Sequence, residues 1–134
     1  MSQPVTQDDS TIGDDVALWR RVNPDWWILD ENEGRYRLSS QAFQNYPKHE
    51  AFSVSVSCDA EEEGAAPRDI VANHRGFGVA AFSAGFAREK GQGVIRVPKE
   101  GEIAHGHVVG RKSKSVKKSF AKSAVVLIEP TERR

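Results

Sequence analysis

The clearest alternation of apolar and polar positions lies between residues 51 and 58, where Phe52, Val54, Val56 and Cys58 interleave with Ser53, Ser55 and Ser57. A period of two belongs to a strand, so the pattern predicts one with the first set turned to the core and the serines outward. Residues 35–38, 94–97 and 103–109 predict further strands, and the apolar run 26–29 closes on a turn signal at 30–34. Residues 16–22 suit either a strand or a short helix capped by Asp14 or Asp15. Ser39 or Ser40 is placed to cap a helical turn carrying Ala42 and Phe43, and Pro67 to start a short helix that Gly76 ends. The acidic run 61–63 reads as a solvated loop. Residues 77–87, rich in Gly, Ala, Val and Phe, read as a buried strand or a tightly packed helix, small enough for another element to approach closely.

From Ser113 onward the period lengthens. Val116, Phe120, Ser123, Ala124 and Leu127 fall within about 100° of one another on a helix, while Lys114, Lys118 and Lys122 recur every fourth position on the far side. Residues 124–128 suit the end of that helix or a final strand. Val and Ile number 20 against 4 Leu, and β-branched side chains lose less freedom on a strand than on a helix. The expected fold is therefore α+β: a compact, mostly antiparallel sheet of about five strands with a C-terminal amphipathic helix packed on it. Residues 15–134 form one globular domain in this reading. Residues 1–14, with only Val5 and Ile12 as core-type side chains, form a disordered acidic tail.

Charge changes the picture. The chain is neutral overall, yet residues 1–66 carry 13 acidic and 5 basic side chains, and residues 67–134 carry 14 basic and 6 acidic. Such an asymmetry points to an anionic partner, or to two faces of one chain that neutralise each other. The basic excess peaks at Arg111, Lys112, Lys114, Lys117, Lys118 and Lys122, in a stretch free of carboxylates from 103 to 128. Lysines in a row neutralise phosphates, and Ser113, Ser115, Ser119 and Ser123 can add hydrogen bonds. The same row is also what the solvated face of an ordinary helix carries. The expected partner is nucleic acid or an acidic protein surface, and the expected role that of a non-enzymatic binding protein, a homo-oligomer or a subunit of a larger complex. A lone Cys58, no secretory pattern and no run approaching ~18 apolar residues suit a soluble, cytoplasmic chain without membrane contact.

A second reading is enzymatic. His105 and His107 flank Gly106, so on a strand both imidazoles point to one side and leave the other open to close packing. They suit an acid–base pair in phosphoester or nucleotide chemistry, or half-buried histidines bonded to neighbours. A metal would need a third ligand from His74, Glu100 or Glu102, and neither a metal nor any other cofactor is expected. Two-histidine phosphoesterases repeat a His-x-Ser/Thr tripeptide that this sequence lacks.

Arg20, Arg21, Arg35 and Arg37 are followed by Ser39 and Ser40. The order is loosely similar to the start of compact NAD-using ADP-ribosyltransferase-like folds, in which an Arg-bearing strand precedes a Ser or Tyr strand and a late Glu. The resemblance covers the first third of the chain and implies transfer chemistry on NAD, although no late Glu stands in a recognisable motif. Otherwise these arginines pair with the surplus acids of their own half. Trp26 and Trp27 point to opposite faces of a strand, one to the core and one partly exposed, and Cys58 reads as an inert buried thiol.

Overall fold

The computed structural model describes residues 7–32, 34–46 and 50–130. Its strands are β1 (Ala17–Val22), β2 (Trp27–Asp30), β3 (Arg35–Leu38), β4 (Ala51–Val56), β5 (Gly78–Ser83), β6 (Gly93–Arg96), β7 (His105–Val109) and β8 (Val125–Ile128). Three helices, α1 (Ser57–Glu62), α2 (Ala84–Glu89) and α3 (Lys114–Ser123), complete the α+β fold. Six strands, one more than expected, form an antiparallel sheet in the order β6-β7-β4-β1-β5-β8, while β2 and β3 make a separate ribbon. No helix of the described residues is long and apolar enough to cross a membrane.

The two faces of the sheet differ because its central strands alternate. Leu18 and Val22 of β1 and Phe52, Val54 and Val56 of β4 are buried on one face. There Phe43, Phe52, Phe82, Phe86 and Phe120 pack ring on ring, with neighbouring centroids 4.9–6.1 Å apart. Edge-to-face pairs of this kind add about 0.5–1.5 kcal/mol beyond the area they bury. Phe120 arrives on α3, whose first turn is capped by Ser113 Oγ accepting from Val116 N at 3.1 Å. The helix stops at Ser123, and the alternating segment after it becomes β8, so Leu127 lies exposed on a strand rather than in the helical stripe. The opposite face carries Trp19, Arg21, Ser53, Ser55, His105 and His107, since Trp19 pairs with Ser55, Ser55 with His105, and Ser53 with His107. A smaller apolar cluster of Trp19, Ala60, Val79 and Ala81 seals part of this face under α1 and the 3-10 turn Pro67–Val71.

Several local expectations change. β4 ends at Val56 because the Ser57–Glu62 stretch, rich in helix formers and with Asp59 in its first turn, turns helical. Cys58 is thus on a helix, half-buried beside Asp59, and Glu61–Glu62 are helical rather than looped. Residues 77–87 divide between β5 and α2, with Ser83 Oγ capping α2 through Phe86 N. Two glycines are fixed by close approach. A Cβ on Gly78 would lie 2.5 Å from the Trp27 ring, and one on Gly106 would lie 2.7 Å from the Ile95 carbonyl.

The acidic stretch before β1 is also corrected. Residues 1–6 of the expected tail lie outside the described residues, but 7–14 dock on the fold. Ile12 is fully buried in the main core, and Asp9 N donates to Val94 O at 2.8 Å. Asp8 and Asp14 hold Arg88 at 3.0 and 2.7 Å, and Asp9 holds Arg96 at 3.2 Å, with Asp59 on the same guanidinium at 2.7 Å. Acids of the first half therefore neutralise arginines of the second within one chain. Ile12→Ala is expected to lower stability by about 2–5 kcal/mol, the range for an aliphatic core truncation. Urea denaturation will check it, and an unchanged midpoint would mean that the segment is not part of the folded core.

Candidate active site

Between the polar face of the sheet, the Pro67–Val71 turn with His74, and the residues before β7 lies a cleft open to solvent. It has two adjoining lobes that share part of their lining. Arg21, Ser55, His74, Glu102 and His105 line both lobes. The inner lobe adds Arg20, Trp26, Tyr46, Ser53 and Phe77. The outer one is walled by Ile70, Ile103 and the carboxylates of Glu63 and Asp69.

His105 is only 6% exposed, and its hydrogen bonds assign its tautomer. Nδ1 lies 2.9 Å from the Val97 carbonyl, which can only accept, so Nδ1 carries the proton of the neutral ring. Nε2, 3.1 Å from Ser53 Oγ, is then free to accept from that hydroxyl, which Tyr46 also engages. His107 stands beside it on the same face, ring centroids 5.1 Å apart and edge to face. Alternation thus places the two imidazoles together as expected, but only His105 lines the cleft; His107 sits opposite Ile95 of β6.

The arginines of β1 divide their tasks. Arg20, 4% exposed, donates from Nε to Ala42 O and from Nη1 to Ser53 O, both at 2.9 Å. Its guanidinium carbon lies 4.7 Å from the Phe52 ring centroid and 5.4 Å from that of Trp26. Burial, with Arg21 adding to it and Tyr46 opposing, brings its pKa down to about 10. Arg21 is more open: Nη1 donates to Ile70 O at 3.2 Å and stands 3.6 Å from Glu102 Oε1. Tyr46 is 45% exposed at the mouth. Partial burial works to raise its pKa, but hydrogen bonding to Ser53 and the Arg20 cation prevail and hold it below the usual phenol value. The His74 pKa is lowered by burial and by Arg21, against Glu102, and its buried Nδ1 has no hydrogen-bond partner.

Of the other residues weighed from sequence, His74 and Glu102 join His105 in the cleft and Glu100 does not. Among the described residues no group of three or more His, Cys, Asp and Glu is arranged to hold a metal ion. Arg37, Ser39 and Ser40 fall outside the cleft, in a groove beside α3. The serines that meet Arg20 and Arg21 are instead Ser53 and Ser55, whose alternation was legible but whose outward face is the cleft wall. Tyr46 carried no sequence signal. Trp27 is core and Trp26 half-buried, the division expected of the pair.

The basic segment also divides. Lys114, Lys118 and Lys122 with Ser115 and Ser119 line a shallow groove on α3. A second groove joins Lys118 and Lys122 to Arg37, Ser39 and Ser40, and no described carboxylate lines either. Arg111 is exposed before the helix, and Lys117 lies half-buried off the row. Lys112 turns inward: Nζ donates to Asn45 Oδ1 at 2.6 Å, Gly110 O at 2.9 Å and Val108 O at 3.1 Å, over the Phe52 ring.

Compared with protein-family models, curated proteins and solved structures, the chain matches none of them.

Burial and the Arg20 cation, opposed by Glu50, bring the Lys112 pKa down to about 7. Between pH 7 and the ordinary lysine value, the unfolded chain then binds more protons than the folded one, so this group's contribution to stability rises with pH. Denaturation of wild type and Lys112→Met across pH 7 to 10 is expected to show that extra rise in the wild type alone. Parallel curves would mean that Lys112 titrates normally.

Proposed function

We propose that the chain is a small enzyme that binds a phosphate-bearing nucleotide in the cleft and cleaves it. The observation that carries this reading is the meeting, in one cleft, of Arg21, a tautomer-fixed His105 and its bonded Ser53. Arg20 forms no ion pair among the described residues. Its buried charge therefore biases the inner lobe toward an anion. Arg21 reaches both lobes with the forked donors that suit phosphate oxygens, and Trp26 and Phe77 present apolar surface to a base. His105 Nε2 is the proton acceptor.

One feature favours NAD as the nucleotide to try first. Arg20 and Arg21, then Ser53, then Glu102 reach the cleft in the chain order of the ADP-ribosyltransferase-like pattern. In that variant the bond cut is the glycosidic bond to nicotinamide, with Glu102 beside the reacting ribose. Incubation with NAD and analysis of the products by mass spectrometry separates the two chemistries. Free nicotinamide marks glycosidic cleavage, and AMP with nicotinamide mononucleotide marks cleavage at phosphorus. Arg21→Ala is expected to weaken nucleotide binding at least tenfold in calorimetry with ADP and NAD. No binding of either by the wild type would sink the proposal.

A second surface supports a separate role. The acid-free grooves along Lys114, Lys118 and Lys122, extended by Arg37, offer several cations to a nucleic-acid backbone. Wild-type protein is expected to bind labelled oligonucleotides with an affinity that falls steeply with salt. The triple variant Lys114→Glu, Lys118→Glu, Lys122→Glu is expected to lose that binding and keep its melting profile. Fluorescence anisotropy at two salt concentrations will decide, and equal affinity for both proteins would end this reading.

A further inference from the structure

Resting on the cleft being catalytic, we infer that Ser53 is its nucleophile, activated by His105, and that the bond attacked is at phosphorus. A serine hydroxyl needs three things to act in this way: a base on its proton, an orienting group behind the base, and a cation where negative charge develops. All three are in place. The neutral His105 ring has one free lone pair, on Nε2, and Ser53 Oγ occupies it at 3.1 Å. The orienting group is the Val97 carbonyl, which fixes the ring through Nδ1 at 2.9 Å. The cation is Arg21, which lines the same cleft, half-buried beside Glu102. The peptide of Ser53 is itself anchored, since Arg20 Nη1 donates to its carbonyl at 2.9 Å. Ser55 makes a contrast. It faces the same cleft and pairs with His105 in the β4–β7 register, yet it is Ser53 that the His105 ring bonds.

The reaction balances without a further reagent except water. The Ser53 proton passes to His105 Nε2 as the Oγ–P bond forms and the bond from phosphorus to the leaving oxygen breaks. That oxygen takes the proton from Nε2. Water then attacks the phosphoserine ester, giving its proton to Nε2, and Oγ leaves and recovers it.

A fluorophosphate ester provides the test, because its P–F bond breaks by the same attack, fluoride leaving as Oγ–P forms. The full chain is treated with diisopropyl fluorophosphate, and the adduct is located by intact-mass and peptide mass spectrometry. One phosphoryl adduct per chain on Ser53 is expected, absent in Ser53→Ala and formed about a hundredfold more slowly or worse in His105→Gln, the loss expected when a general base is removed. Retention of ADP binding by both variants will confirm that the cleft is intact. A wild type that binds ADP yet gains no adduct, or gains it on another residue, would overturn the inference while leaving the nucleotide reading standing. Undiminished labelling of His105→Gln would overturn His105 as the base. Labelling of Ser53 in a protein that binds no nucleotide would uphold the nucleophile and overturn the nucleotide reading instead.

Discussion

The arrangement of the polar end of this molecule depends on a positive charge, that of Arg20, buried with no ion-pair partner among the described residues. A guanidinium taken out of water is costly unless its donors are met. Arg20 meets that demand with oxygens from two different elements: the Ala42 carbonyl of the 3-10 turn Ser40–Phe43 and the Ser53 carbonyl of β4. Tyr46 is a further hydrogen-bond partner, and the rings of Trp26 and Phe52 lie against the guanidinium. Phe52 also lies under the half-buried Lys112 ammonium, 4.9 Å from the ring centroid, so one side chain faces two cations. Burial lowers both pKa values, Lys112 the further; repulsion from Arg20 adds to the fall at Lys112, and Arg21 to that at Arg20. Removing either oxygen acceptor would strand the charge, which constrains the positions of β4 and the Ser40–Phe43 turn together.

The opposite treatment of charge holds the other end. Arg88 and Arg96 are paired with Asp8, Asp9, Asp14 and Asp59 in partly exposed clusters. Single surface pairs contribute about 0–1 kcal/mol, but a shared guanidinium orders several carboxylates at once. This network, with Ile12, lays the segment before β1 along β6, whose outer edge would otherwise be open. The charge asymmetry of the chain thus has an internal destination for part of its excess. Among the described residues, the lysine row of α3 and the buried Arg20 form no ion pair, whereas Arg21 stands beside Glu102.

Much of the sheet was legible because a strand's alternation survives any tertiary context. Residues 51–56, the paired imidazoles about Gly106 and the capping Ser113 stand where their patterns put them. The failures have equally local causes. Cys58 continued an alternating pattern, but helix propensity in the following residues overrode it. The glycine- and alanine-rich run 77–87 was ambiguous because it contains one strand and one helix. Ile12 lacked apolar neighbours in sequence, and its burial comes from long-range pairing of Asp8 and Asp9. At the site, Ser53 was assigned correctly to the face away from the core, but nothing in a strand's period says whether that face meets water or a cleft. Glu102 was visible only as a metal-ligand candidate, and its place beside Arg21 depends on the turn leading into β7. Tyr46 follows no motif and gains its role from Arg20.

The cleft and the lysine-lined grooves share one short piece of chain. In the Ser40–Phe43 turn, Ser40 lines the basic groove, Ala42 accepts from Arg20, and Phe43 stacks on Phe120 of α3 with centroids 5.5 Å apart. A close-packed aromatic interior transmits displacement rather than absorbing it. Arg20 in turn donates to the main chain of Ser53. The Ser40–Phe43 turn thus touches both the groove beside α3 and the buried guanidinium behind Ser53, and the packing of the core fixes its position.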